Sequence, residues 1–159
     1  MERDAKLRQA EDIMSCPAVC VNEGDELLAA ARMLSRRGWS GAPVVDEHGQ
    51  LAGILSEHDL MQALARAAFH GEGAPATVGQ VMTAPALAVD RGTDLFSLTT
   101  LLTDHKRVSV VQDGRPVGVI SRKDLVQALV RLTREREGTP RRTTMEVLTE
   151  LRHSHNPVE

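Results

Sequence analysis

The stretch Gly53-Ile54-Leu55-Ser56-Glu57-His58-Asp59-Leu60-Met61-Gln62-Ala63-Leu64 is written again as Gly118-Val119-Ile120-Ser121-Arg122-Lys123-Asp124-Leu125-Val126-Gln127-Ala128-Leu129, with Gly, Ser, Asp, Leu, Gln, Ala and Leu in register. The duplication extends upstream. Asp12-Ile13-Met14-Ser15-Cys16-Pro17 is matched by Gln80-Val81-Met82-Thr83-Ala84-Pro85, and Gly24-Asp25-Glu26-Leu27 by Gly92-Thr93-Asp94-Leu95, both 68 residues on. The offset then falls to 66 at Val44-Val45 against Val110-Val111 and to 65 at Gly53 against Gly118. Both losses fall in connections, as two copies of one fold require. A chain built this way folds as two like units.

Each copy reads as a short helix, an extended stretch, a helix, two hairpinned strands and a closing helix. Leu27, Ala30, Ala31 and Leu34 fall at i, i+3, i+4 and i+7, and Leu95, Leu98 and Leu102 repeat the stripe. Thr93 is the candidate N-cap of the second stripe and Gly38 closes the first. The first hairpin turns through Glu47-His48-Gly49, with Gly for a left-handed position, and the second through Asp113-Gly114, a type I′ signal. The copies are placed at residues 8–70 and 76–135, joined by His70-Gly71-Glu72-Gly73-Ala74-Pro75. Residues 136–159 are a polar tail in which Thr143 with Glu146 is the candidate cap of a short helix carrying Val147, Leu148 and Leu151; His153 and His155 make an incomplete metal site and are left unassigned.

The chemistry concentrates at the repeated Ser-x-x-Asp. A short apolar strand runs into Ser56, which opens a helix carrying Asp59 in its first turn; Ser121 and Asp124 repeat this. Free helix N–H groups and the dipole attract phosphate, and a carboxylate one turn in can accept hydrogen bonds from a ribose diol. The same pattern is also a capping box that needs no ligand.

Composition narrows the classes. A formal net charge of −3 and 2% aromatic residues speak against nucleic acid, which calls for a basic face and stacking platforms. No apolar run approaches the roughly 18 residues that span a membrane, and the polar start of the chain lacks the apolar core of a secretion signal, so a cytoplasmic location is expected. Cys16 and Cys20, close together in an apolar stretch, read as reduced thiols behaving as small buried hydrophobes.

Taken together, these motifs resemble a tandem pair of cystathionine-β-synthase-type (CBS) domains, a Bateman module. The residues carrying the resemblance are Asp12-Ile13-Met14-Ser15 with Pro17, Gly41-Ala42-Pro43-Val44-Val45-Asp46 and Gly53 to Leu60 in the first copy. In the second they are Val81-Met82-Thr83 with Pro85, Val108-Ser109-Val110-Val111 with Asp113-Gly114, and Gly118 to Leu125. The resemblance implies an α/β (α+β) fold, two repeats packed sheet to sheet about a pseudo-twofold axis with helices outside, leaving two clefts that take AMP, ADP, ATP or S-adenosylmethionine. Carried over by motif position, Asp59 and Asp124 hold ribose, and Ser56 and Ser121 meet phosphate. The base slot is lined by Val19, Pro43 and Ile54 in one cleft and by Leu87, Val110 and Val119 in the other.

The two clefts are not expected to be equal. Between Ser and Asp the first copy carries Glu57-His58 and the second Arg122-Lys123, with Arg107 and Arg115 upstream. Cations at the phosphate position favour ADP or ATP in the second cleft, and Glu57 opposes them in the first. Ser109 stands where the first copy has Pro43, and Pro116 replaces an apolar strand residue, so an altered or empty second cleft is the counter-reading.

Three functions are carried forward. The leading one is a regulatory adenosine-nucleotide sensor acting on a separate protein effector. A structural dimer with vestigial clefts is the alternative, the apolar content of 60–69 and 125–132 supplying a homodimer face. An enzyme ranks lowest, because no nucleophile–base pair, paired carboxylates or metal cage stands out in the sequence.

Overall fold

The computed structural model describes residues 7–138; the candidate cap Thr143 with Glu146 and the pair His153 and His155 lie outside them. In chain order the elements are α1 (Ala10–Ile13), β1 (Val21–Asn22), α2 (Leu27–Arg37), β2 (Gly41–Val45), β3 (Leu51–Ser56) and α3 (Glu57–His70). After a 3₁₀ turn (Val78–Gln80) come β4 (Ala88–Asp90), α4 (Leu95–Asp104), β5 (Arg107–Gln112), β6 (Arg115–Ser121) and α5 (Arg122–Gly138). Two three-stranded sheets result, ordered β1-β2-β3 and β4-β5-β6, each with a parallel first pair and an antiparallel hairpin. The register slips at Val44/Val45 in one hairpin and at Val110/Val111 in the other, so the copies agree down to the position of the irregularity.

Local chemistry accounts for the boundaries. Gly38 takes φ 63° and its N–H donates to Leu34 O and Ser35 O, closing α2 with the left-handed residue that glycine adopts without a Cβ penalty. Asp113 and Gly114 both have positive φ, 51° and 75°, as a type I′ turn demands. The cap of α4 is Asp94 and not Thr93: its carboxylate accepts from Ser97 N at 2.9 Å and from the Ser97 hydroxyl at 2.7 Å. Those hydrogen bonds, the hydroxyl's first, hold the Asp94 carboxyl below the usual range.

The two hydrophobic cores do not follow the repeat boundaries. Val21, Leu27, Leu34, Val44, Leu55 and Leu60 form one core, and it is completed by Val78 from the second copy. Leu95, Leu98, Val108, Val110, Ile120 and Leu125 form the other, completed by Ala10 from the first and by Leu7 just before it. Each copy has thus lent its opening turn to its neighbour. The backbone follows: Ala10 N–H donates to Thr93 O at 2.8 Å and Glu11 N–H to Arg91 O at 3.0 Å, while Val78 N–H donates to Asp25 O at 3.0 Å and Gly79 N–H to Glu23 O at 2.9 Å.

The extended segment after each opening turn then joins the other copy's sheet. Ser15 and Val119 exchange backbone hydrogen bonds of 2.9 and 3.1 Å, and Thr83 and Ile54 exchange two of 2.9 Å. This explains the glycine that begins the repeated motif. A Cβ on Gly53 would sit 2.8 Å from Met82 Sδ and 2.8 Å from Thr83 O, and one on Gly118 would sit 2.5 Å from Met14 Sδ. Gly53→Ala forces a shift of backbone rather than of a flexible side chain alone, and overpacking of this kind costs about 1–3 kcal/mol. Urea denaturation of that variant is expected to show a lowered midpoint at unchanged slope; an unaltered midpoint would refute the close-approach role.

Candidate functional site

Both Ser–Asp pairs close capping boxes. Asp59 Oδ2 accepts from Ser56 N at 3.0 Å and from the Ser56 hydroxyl at 2.5 Å, while Asp59 N–H donates back to Ser56 Oγ at 3.2 Å. Asp124 Oδ2 accepts from Ser121 N at 2.8 Å and from the Ser121 hydroxyl at 2.7 Å, with Asp124 N–H donating to Ser121 Oγ at 3.3 Å. The boxes differ in the second carboxylate oxygen. Asp59 Oδ1 accepts the Thr83 hydroxyl at 3.0 Å. Among the described residues no hydrogen bond reaches Oδ1 of Asp124, although Ser15, the counterpart of Thr83, lies nearby on the same cavity wall. A β-branched threonine holds its hydroxyl in a preferred rotamer more firmly than serine does.

Asp124 lines a cavity of about 500 Å³, within the range of small-molecule sites. The first copy contributes the extended segment Ser15 to Val19 and the rim Trp39, Gly41 and Pro43; the second contributes Arg107, Val119, Ser121 and Lys123. Val19, Pro43 and Val119, assigned from sequence to two different clefts, therefore share one. The cause is the exchange of opening segments, which lays residues 15–19 along β6 and beside the N-terminus of α5.

The other sequence candidates are placed elsewhere. Val110 is fully buried in the second core, and Leu87 packs against that core while its carbonyl accepts from Ser109 N. Ile54 pairs with Thr83, and neither Ser56 nor Asp59 is on the wall of this cavity. Arg122 is a correction. Its Nε donates to Leu102 O at 2.7 Å and its Nη2 to Thr103 O at 2.9 Å, so this cation satisfies carbonyls at the C-terminus of α4, where the dipole favours it, and not a ligand phosphate. Arg115 lies against Gly49 in the opposite hairpin turn. Lys123 alone of the motif's two cations faces the cavity. Ser109 is 1% exposed, and its hydroxyl finds no partner among the described residues.

Trp39 escaped the sequence reading because it sits in the connection where the two copies differ in length. Gly38 puts it there: after the left-handed turn, Trp39 N–H donates to Leu34 O at 3.0 Å, and the Arg37 guanidinium stacks 4.8 Å from the ring centroid. Cys16 corrects another expectation: it is exposed, between the cavity-lining Ser15 and Pro17, while Cys20 is half-buried and burial pushes its thiol up. The thiolate is the nucleophile, so near pH 8 a thiol reagent is expected to label Cys16 first and Cys20 more slowly, the gap narrowing as pH rises. Equal rates at pH 8 in the Cys16→Ser and Cys20→Ser single variants would contradict this.

Two segments of the chain, residues 10–66 and 78–131, match the family model described as CBS domain. The chain is 33% identical over 129 residues to arabinose 5-phosphate isomerase KdsD of Pseudomonas aeruginosa, a match covering 77% of this chain but 38% of that protein. It is 25% identical to hypoxic response protein 1 of Mycobacterium tuberculosis, covering 76% of this chain and 84% of that one. The chain spans well under half of the first of these. Among solved structures it is similar to CBSX2 in complex with AMP (27% identity, TM-score 0.68, 79% of this chain and 98% of that chain). It is also similar to the CBS domain pair of protein MJ0100 in complex with 5′-methylthioadenosine and S-adenosyl-L-methionine (25%, 0.66, 76% and 98%).

Proposed function

Because the chain belongs to the CBS-domain family, we propose that it is a regulatory module that binds an adenosine-containing ligand in the cleft at Asp124. The observation carrying this reading is that Asp124 lines the cavity of about 500 Å³ and that, among the described residues, no hydrogen bond reaches its Oδ1. There it can accept from a ribose diol while Oδ2 stays committed to the cap. Val19, Pro43, Val119 and the Trp39 ring supply the apolar slot for the base, and Ser121 and Lys123 lie where a 5′ phosphate of AMP, ADP or ATP would fall. The AMP and S-adenosylmethionine complexes of similar proteins support an adenosyl ligand. The cleft at Asp59 is the weaker one, since the Thr83 hydroxyl already holds the oxygen a ribose would need.

A ligand moves a partner only through differential affinity for two arrangements of the module, and a ligand in this cleft would touch both copies, the first through the exchanged segment 15–19. Met61 and Phe69 on α3 and Val126, Leu129 and Val130 on α5 are exposed; they supply the face of a homodimer or of a protein effector. A scaffold with vestigial clefts is the second reading, favoured by both Ser–Asp boxes being complete without a ligand.

Thermal-shift titration separates the two. A ligand at 100 times its Kd adds about 2.7 kcal/mol, so AMP or S-adenosylmethionine is expected to raise Tm. Asp124→Asn, which keeps an acceptor for the cap, should abolish the rise, and Asp59→Asn should leave most of it. No shift with either compound at millimolar concentration would favour the scaffold.

A further inference from the structure

Asp124 also lines a second, smaller cavity, about 200 Å³, between α1 and α5. Its floor is apolar: Leu7 and Ala128 are buried in the second core, and Ile13 packs against that core. Its other lining groups, Asp12 on α1 and Gln127 and Arg131 on α5, are exposed, so a carboxylate, an amide and a guanidinium stand at the mouth. Only Asp124 is common to the walls of this cavity and of the larger cleft.

The fold does not need the charge of Asp12. Its Oδ2 caps the first turn of α1, accepting from Arg8 N at 2.9 Å and from Gln9 N at 3.0 Å. At the counterpart position, 68 residues on, the neutral Gln80 does the same work, its Oε1 accepting from Ala76 N at 2.8 Å and from Thr77 N at 3.3 Å. Gln127 and Arg131 recur in the first copy as Gln62 and Arg66, 65 residues before, so Asp12 adds a carboxylate here that the counterpart place lacks. Among the described residues no hydrogen bond reaches Asp12 Oδ1, none engages the side chains of Gln127 and Arg131, and Asp12 and Arg131 lie beyond ion-pair distance of one another.

Two opposite charges held apart at one cavity select their occupant. A simple anion or cation meets one attraction and one repulsion there, whereas a molecule carrying both signs meets two attractions. We infer that this cavity is a site for a small free α-amino acid with an apolar side chain. Its ammonium pairs with Asp12 Oδ1, its carboxylate takes the Arg131 guanidinium and the Gln127 amide, and its side chain lies on Leu7, Ile13 and Ala128. The guanidinium fork matches a carboxylate, and an apolar floor with a few convergent polar groups is the usual make-up of a small-molecule site. A peptide terminus carries only one of the two charges and leaves the other unmet. Binding here does not require a nucleotide in the larger cleft, although Asp124 sets the two side by side.

The test titrates the isotope-labelled full chain, followed by its amide resonances in NMR, with L-valine at millimolar concentration. Isovalerate and isobutylamine, which keep the branched side chain and lack the ammonium or the carboxylate, are the companion probes. Valine should shift the amides of α1 and of the first turns of α5 saturably. A hydrogen bond to a charged group corresponds to about tenfold in affinity, so each companion should bind more weakly than valine by about that factor. Asp12→Asn, which keeps an acceptor for the cap, and Arg131→Gln, on an exposed side chain, should each weaken valine by a similar factor. Arg131→Gln decides if the Asp12 variant does not fold. No saturable shift with valine, equal affinities for valine and either companion, or a valine affinity unmoved by a folded variant would each overturn the site.

Discussion

The fold depends on an exchange of backbone hydrogen bonds between copies: Ser15 with Val119 and Thr83 with Ile54. Each bridge adds an extended segment of one copy to the sheet of the other, and each requires bare backbone at the neighbouring strand residue, Gly118 or Gly53. With the bridges in place, Ala10 and Val78 each reach the core of the opposite repeat. A single repeat would lack a wall of its core, so the two copies stabilise one another and the pair is the folding unit. Backbone pairing also seats the segments by register rather than by side-chain fit alone.

The same exchange makes the cleft. Residues 15–19 bring apolar surface from the first copy to the helix mouth of the second that carries Asp124, so both repeats line the cavity. Pseudo-symmetry then breaks through small chemical differences. Threonine at 83 donates to Asp59, whereas among the described residues no hydrogen bond reaches Oδ1 of Asp124 on the side of serine at 15, and glycine at 41 makes room for arginine at 107. Both hairpins keep the same kind of pairing and slip at the same place. Each difference changes which polar group is already satisfied, and an unsatisfied group beside a cavity is what a ligand can engage.

Much of the fold was legible in the sequence. The hairpin turns at Gly49 and Asp113-Gly114, the stop at Gly38 and the apolar stripes of α2 and α4 are where the pattern placed them, because periodicity and turn chemistry act over a few residues. The cap of α4 is Asp94, one residue after the Thr93 to which the pattern points. The site was less legible. Of the residues that line the cavity, the motif points to Ser121, Lys123 and Asp124, and the resemblance to Val19, Pro43 and Val119. Arg122 could not be excluded from sequence, because its partners, the carbonyls of Leu102 and Thr103, lie some twenty residues upstream.

What the sequence by itself determined is the duplication, the alternation of elements in each copy and the Ser-x-x-Asp cap at each helix mouth, since all are set by local propensity and by comparing the chain with itself. Only the tertiary structure decided which copy's opening turn completes which core, that Val19 and Val119 meet in one cavity, and that a single guanidinium fills the space at Gly41. Those outcomes depend on contacts between segments far apart in the chain. A repeated sequence is the same whether a unit pairs with itself or with its neighbour; only the packing distinguishes the two.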